Sequence, residues 1–258
     1  MTIEAESPRL ATSIQTPGSI ATTSSSPTRP RASSTPTTSA TPTDRRGATT
    51  AAVKQGGSIK LTMSLPGSEG VNPITMIDLV TYNVCAQVFE YLVRSAADLS
   101  IQPQLATKWE ATNSDATEWT FTLRDGLEWH DGKPVTAEDC VASLKRWSVK
   151  DSMGVKLASF LSEYRIIDAR TFQIVLKEKF GPMLQALGKP SVAVPFMMPK
   201  RIAETDPNKQ IGEYVGSGPF ILKLDEWKPG EKIVFLKNTK YKPRSEPASG
   251  LAGGKVVH

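Results

Sequence analysis

The chain has 258 residues, 39% hydrophobic and 22% charged, which is ordinary for a soluble globular protein and enough to bury a substantial core. Its net charge of +5 is uneven: residues 1–55 carry six basic and three acidic side chains, which leaves +2 for residues 56–258. A folded part so close to neutral gives no electrostatic reason to expect nucleic-acid or membrane-surface binding, and no apolar run approaches the ~20 residues of a membrane span.

The N-terminal segment, residues 1–55, is about half serine, threonine and proline. Such a segment cannot bury enough apolar surface to offset its chain entropy, so we expect it to be disordered. Its start lacks a basic region followed by an apolar run, so no secretory signal is predicted. Two origins stay open for this segment: a functional stalk or targeting peptide, or a misassigned translation start or fusion.

The first predicted elements are a strand and a helix. Residues 58–63 alternate polar and apolar side chains, which predicts a strand with one buried face. Residues 65–70 follow as a loop. In residues 76–94 apolar side chains recur at helical spacing, which predicts a helix that faces the core.

A strand, two turns and a second helix follow. Residues 119–123 alternate as a strand that ends at the turn Asp125-Gly126, and a further turn is expected at Asp131-Gly132. Thr136 is the predicted N-cap of the next helix, whose first turn carries two acids that favour the helix dipole. Four apolar side chains form its buried stripe: Cys140, Val141, Leu144 and Trp147.

Two later pairs of strands are predicted as hairpins. Residues 164–167 and 172–176 flank a polar turn, and residues 220–224 and 232–236 are joined through Lys228-Pro229-Gly230. With the two helices, these strands predict an α/β fold with a mixed sheet and flanking helices.

Cys85 and Cys140 are the only cysteines, and each lies alone in an apolar stretch. Isolated cysteines without CxxC spacing favour buried small hydrophobic residues over a disulfide or a metal site. Trp109, Trp119 and Trp129 are likewise predicted to lie in the core rather than to stack on a ligand.

One charged cluster could suggest a catalytic or metal site: His130, Asp131, Glu138 and Asp139. Histidine and carboxylates are good metal ligands, and a His–Asp pair can act as a general base. Turn formation and helix capping account for all four residues, however, so we expect no catalytic residue, no metal and no cofactor. The other histidine is the terminal His258. A metal-dependent hydrolase that uses His130 stays open as a weaker alternative.

Gly216-Ser217-Gly218 resembles a phosphate-binding loop only loosely. Such a loop requires a lysine and a following helix, whereas Pro219 here leads into a predicted strand. The two glycines are therefore predicted to allow a tight crossing between subdomains.

Three motifs occur in a fixed order along the chain. They read PQLATKWE at 103–110, WTFTLRDGLEWHDGKPVTAED at 119–139 and GSGPF at 216–220. Together they resemble the motifs of the bacterial extracellular solute-binding proteins of family 5, which include the dipeptide- and oligopeptide-binding proteins of ATP-driven importers. The resemblance covers about residues 56–258.

The resemblance implies a fold like that of the type II periplasmic binding proteins. On this resemblance, the 258 residues correspond to the first lobe with its inserted subdomain, and the second lobe is missing from them. Residues 56–72 and 200–258 would then be core-lobe segments, and 73–199 the inserted subdomain.

The resemblance also implies a function: the substrate-binding component of an ABC-type importer, which binds peptides or similar small solutes. The expected partners are that solute and the importer's membrane permease subunits, with no nucleic acid. The expected location is the periplasm, and the expected state is a monomer without enzymatic activity. The alternative is a truncated or mispredicted fragment without independent binding.

The resemblance places the loop Ser68-Glu69-Gly70 against the cleft between the lobes, where it would contact the ligand, and Ser191 is a further candidate. An ordinary polar loop at 68–70 stays open as the alternative. Loops carried on a rigid sheet commonly provide such contacts. Because a single lobe would only half enclose a ligand, we expect the 258-residue chain to bind peptide weakly or not at all.

Overall fold

A computed structural model of the chain describes residues 2–3, 57–62, 71–76, 78–190 and 193–249. The strands of these residues are β1 (Thr2–Ile3), β2 (Ile59–Lys60), β3 (Val93–Ser95), β4 (Ile101–Pro103), β5 (Ala106–Ala111), β6 (Glu118–Leu123), β7 (Leu161–Ile166), β8 (Thr171–Leu176), β9 (Phe220–Leu222) and β10 (Val234–Lys237). The helices are α1 (Leu79–Val88), α2 (Ala137–Trp147), α3 (Ser152–Phe160), α4 (Met183–Leu187), α5 (Lys200–Ala203) and a 3₁₀ helix (Leu224–Glu226).

An antiparallel four-stranded sheet, in the order β5-β6-β8-β7, carries the first hydrophobic cluster. Alternate side chains of β6 and β8 point into this cluster, where the rings of Phe121 and Phe172 stack with their centroids 5.5 Å apart. α2 covers the cluster with Cys140, Leu144 and Trp147, all buried. The predicted strand at 119–123 and the predicted hairpin at 164–176 are both confirmed.

A second four-stranded sheet has the order β2-β1-β10-β9 and is mixed, because β1 pairs with β10 in parallel and the other pairs are antiparallel. The second hydrophobic cluster joins this sheet to α1 and to residues 194–214. Phe196 lies at its centre, with ring centroids 4.9 Å from Tyr91 and 5.8 Å from Phe89. The predicted mixed α/β architecture is confirmed.

The start of α2 follows its local sequence. The Thr136 hydroxyl accepts from the Asp139 N–H at 3.3 Å, and the Asp139 carboxylate accepts from the Thr136 N–H at 3.0 Å. This reciprocal pair is a capping box, so the predicted N-cap is confirmed. Cys85 and Cys140 are buried free thiols, as predicted, and burial raises the pKa of both.

The prediction of one helix over residues 76–94 was wrong at its C-terminal end. The helix ends at Val88, and Phe89 is already extended. Glu90 then pairs through its backbone with Met197, and β3 pairs with β4. The apolar period continued past the helix because the strand that follows is also buried on both sides, and such a run does not distinguish helix from strand.

The prediction of a strand with one buried face at residues 58–63 was also wrong in part. Of these residues, Ile59–Lys60 form a strand, and both side chains are exposed, Ile59 by 43%. Alternation indicates a buried face only where another layer covers the strand, and β2 is the edge strand of its sheet.

The last predicted hairpin is present with different bounds. β9 and β10 pair antiparallel, with Leu222 opposite Phe235. The 3₁₀ helix follows β9 in place of the end of the predicted strand, and Gly230 forms the turn with φ of 73°. β4, β5, α3, α4 and α5 had no sequence-based prediction, and β3 begins within the helix predicted over residues 76–94.

The predicted domain limits stay predictions. Of residues 1–55, the structure describes only Thr2–Ile3, which is a strand. The hydrophobic clusters group α1 with residues 194–235, and α2 contributes to both clusters. None of the described helices is long and apolar enough to cross a membrane.

Candidate functional site

The predicted ligand-contacting residues cannot be placed. Ser68, Glu69, Gly70 and Ser191 all lie outside the described residues. Their role stays a prediction, and the site is therefore built from the motifs whose positions the structure describes.

The three sequence motifs meet at one place, between the two hydrophobic clusters. We call it the motif junction and define it by Glu90, Gln104, His130, Gly216, Ser217, Gly218 and Tyr241. Each motif contributes: Gln104 comes from the first, His130 from the second, and the glycine loop 216–218 from the third. Residues far apart in the sequence are thereby held together by side-chain hydrogen bonds.

The Glu90 carboxylate is the centre of the motif junction and is fully buried. Its Oε1 atom accepts from the Tyr241 hydroxyl at 3.1 Å and from the Gln104 amide, and its Oε2 atom accepts from the Ser217 hydroxyl at 3.0 Å. A buried charge is tolerated when it is hydrogen-bonded in this way. Burial raises the pKa of Tyr241 most, and the negative charge of Glu90 raises it further. The Tyr241 hydroxyl therefore stays protonated and can donate.

Two arginines lie near the motif junction. The Arg94 guanidinium is buried, lies 4.4 Å from the ring centroid of Tyr91 and donates to the Tyr82 hydroxyl at 3.1 Å. Burial lowers the pKa of Arg124, while the charge of Glu90 raises it. Arg124 donates to the carbonyl oxygen of Lys242 at 3.0 Å. The junction thus has positive charge close to the Glu90 carboxylate.

His130 holds the glycine loop through three hydrogen bonds. Its backbone N–H donates to the carbonyl oxygen of Gly216 at 2.8 Å, and the Gly216 N–H lies 3.3 Å from Nδ1. Its Nε2 atom lies 3.0 Å from the carbonyl oxygen of Gly218. Because Nδ1 accepts, Nε2 must carry the proton and donate, which assigns the neutral Nε2–H tautomer.

Both ring nitrogens of His130 are therefore occupied by backbone groups. Burial lowers the pKa of His130 from its ordinary value of 6.5, against smaller opposing effects of the Gly218 hydrogen bond, Glu90 and Asp131. Protonation would also convert Nδ1 from an acceptor into a donor that faces the Gly216 N–H. A base in this position cannot reach a substrate proton without breaking the loop contacts.

This geometry predicts a pH-dependent stability. Below pH 6.5 the unfolded histidine binds a proton that the folded one does not, so the free energy of unfolding should fall as the pH falls from 6.5 toward 5.5. The slope from this group is at most about 1.4 kcal/mol per pH unit. Urea denaturation of the wild type and His130→Gln at pH 7.5, 6.5 and 5.5 measures it. Equal slopes in the two proteins would exclude His130 as the cause.

The loop of Gly216 and Gly218 passes against the C-terminal end of α1. The Gly218 N–H donates to the carbonyl oxygen of Val88 at 2.8 Å. A Cβ atom on Gly218 would lie 2.6 Å from the carbonyl oxygen of Gln87, and one on Gly216 would overlap that of Val88. The predicted close approach of this loop is confirmed, because only glycine fits here. That the loop crosses between subdomains stays a prediction.

The acidic residues near His130 have structural roles. Asp139 caps α2 and also accepts from the indole N–H of Trp129 at 3.1 Å and from the Lys200 N–H at 2.7 Å. Asp131 forms an ion pair with Arg201 at 3.0 Å, and Glu138 pairs with Lys200. Within the described ranges, no group of three or more His, Cys, Asp or Glu side chains could hold a metal ion.

The predicted core positions of the tryptophans differ in depth. Trp129 is buried, whereas Trp109 and Trp119 are partly buried and pack against the first cluster.

Glu90 and Tyr241 were missed by the sequence analysis. The available signal was the isolated acid within the apolar run of residues 84–93, since a charge in such a run needs buried partners.

The family model and the curated relatives that match the chain all describe extracellular or periplasmic binding proteins of bacteria. The family model "Bacterial extracellular solute-binding proteins, family 5 Middle" matches residues 100–255. A probable peptide ABC transporter periplasmic-binding protein of Sinorhizobium fredii is 37% identical over 196 residues, which is 76% of this chain and 36% of that relative. The nickel-binding periplasmic protein of Escherichia coli is 31% identical over 160 residues, 60% of this chain and 29% of that relative.

The fold is shared with solved structures. The ABC transporter-associated periplasmic binding protein DppA from Helicobacter pylori, in complex with the peptide STSA, has a TM-score of 0.57 at 23% identity. The match covers 72% of this chain and 40% of that one. The chain therefore spans about a third of the length of the curated relatives it matches.

Proposed function

The chain belongs to family 5 of the bacterial extracellular solute-binding proteins, and from this membership we propose that it forms part of the substrate-binding component of an ABC-type importer. One observation carries the proposal. The three motifs by which the chain resembles the family meet at the motif junction, so the residues that carry the resemblance are joined in one hydrogen-bonded arrangement in this chain.

We propose peptides as the ligand class. The support is that the relative with 37% identity is described as a probable peptide transporter component, and that a structure with the same fold holds a peptide. Another relative is described as a nickel-binding periplasmic protein, so the relatives of this chain do not all bind the same class of ligand. The proposed contacts of Ser68, Glu69, Gly70 and Ser191 belong to this part of the proposal.

The proposed location is the periplasm and the proposed partners are the importer's permease subunits, with the protein acting as a monomer. The periplasmic names of the relatives support this location. We also propose that the chain is not an enzyme, because both ring nitrogens of His130 bind backbone groups and the neighbouring acids cap a helix or form ion pairs.

Peptide titration tests the proposal. Because the chain spans about a third of its relatives' length, we expect it to supply only part of a ligand-enclosing surface and to bind tri- to pentapeptides with a Kd weaker than about 100 µM. Isothermal titration calorimetry and NMR shift changes measure the affinity, with nickel chloride as the comparator. A micromolar Kd would contradict the expected weakness, and binding of nickel but not peptides would contradict the peptide assignment.

A further inference from the structure

A groove lies between α2, β7 and α5. Its volume is about 470 Å³, which is within the range of about 300–1,000 Å³ typical of small-molecule sites. One face of α2 forms its floor, because Glu138, Val141 and Lys145 follow one another at helical spacing. Val149 extends this floor just beyond the end of the helix. We call it the amphipathic groove.

One side of the amphipathic groove is apolar. Val141 is buried in the floor, while Val149 and Ile166 are exposed by 52% and 41%. Tyr164 lies beside them on β7, and no described residue forms a hydrogen bond with its hydroxyl. Apolar side chains exposed together in a concave surface favour an apolar ligand segment.

The charged side of the groove has more basic than acidic side chains. The Lys145 ammonium lies 5.9 Å from the ring centroid of Tyr164 and forms no ion pair with a described carboxylate. Lys200 is already paired with Glu138 at 3.1 Å. The exposed Glu204 is the remaining acid in the lining.

Arg146 adds buried positive charge beneath the groove. Its side chain is 4% exposed, its Nη1 atom donates to the carbonyl oxygen of Thr205, and its Nε and Nη2 atoms have no hydrogen-bond partner among the described residues. Burial lowers its pKa, and the charge of Asp206 raises it. Asp206 itself is exposed and accepts from the Asn208 N–H at 2.9 Å. The guanidinium is therefore not neutralised by a carboxylate in contact with it.

We propose that the amphipathic groove binds a small amphipathic anion, with its apolar chain on Val149, Tyr164 and Ile166 and its anionic group at Lys145. The Tyr164 hydroxyl is available to donate to the same group. The proposal rests on the residues of the groove alone and does not depend on the peptide binding of the proposed function.

Decanoate is the probe, used with the whole chain below its micelle concentration. Isothermal titration calorimetry should show saturable binding, and NMR should show shift changes at Val141, Tyr164 and Ile166. Decyltrimethylammonium has the same chain with the opposite charge, so it should bind at least about tenfold more weakly. Lys145→Glu should weaken decanoate binding about tenfold.

Lys177→Glu is the matched control, because Lys177 is exposed and lies outside the groove while the change in net charge is the same. A second variant, Val149→Asp, places a charge on the apolar side and should also weaken decanoate binding about tenfold. Absence of saturation, equal binding of the cation, shift changes elsewhere, or an equal loss in Lys177→Glu would each overturn the proposal. Thermal unfolding of each variant confirms that a loss of binding is not a loss of folding.

Discussion

Replacing Gly216 by alanine should destabilise the protein by about 3 kcal/mol or more. The added Cβ atom would overlap the carbonyl oxygen of Val88, which is backbone at the end of α1 and cannot rotate away as a side chain can. The overlap can be removed only if the loop moves, and this movement breaks the hydrogen bonds of the loop to His130 and to Val88. Urea denaturation followed by circular dichroism measures the free energy of unfolding.

Gly212→Ala is the control for this substitution. Nothing lies within 4 Å of a Cβ atom at Gly212, so the change there should stay within about 0.5 kcal/mol of the wild type. A loss at Gly216 as small as that at Gly212 would show that the loop and α1 do not approach as closely as described.

Glu90→Ala should cost about 3–5 kcal/mol, because the substitution leaves the donors of Gln104, Ser217 and Tyr241 without their acceptor inside the core. Glu90→Gln keeps the shape of the side chain and one acceptor oxygen, so it should lower the free energy of unfolding by less than Glu90→Ala does. Denaturant unfolding of both variants gives this order directly.

Glu110→Ala provides the matched control. The Glu110 side chain is 48% exposed and its ion pair with Lys108, at 2.8 Å, is also exposed, so the expected change is below about 1 kcal/mol. Equal losses in Glu90→Ala and Glu110→Ala would mean that the buried network contributes no more than a surface pair.

The parts of the fold that the sequence predicted are those decided by nearby residues. The N-cap at Thr136 and the turn after Leu123 depend on side chains within a few positions, and both are present. The hairpin of β7 and β8 depends on one short turn and is also correct. Local chemistry was sufficient in each case.

The parts that were wrong depend on distant residues. α1 ends at Val88 because Glu90 pairs with Met197 and its side chain with the loop at Ser217, neither of which is visible within residues 76–94. The exposure of Ile59 depends on which layer covers the edge of its sheet. For the same reason the three motifs indicated a family by their order, while their meeting at the motif junction required the structure.

The wide sequence separation within the motif junction has a consequence for how the chain folds as it is synthesised. Glu90 is 127 residues from Ser217 and 151 residues from Tyr241. Closing loops of this length costs entropy before any contact compensates for it, which slows folding. A growing chain cannot give Glu90 its full set of donors until Tyr241 has left the ribosome. The junction is therefore completed late, and the nascent protein stays incompletely folded at Glu90 until the segment that carries Tyr241 has been made.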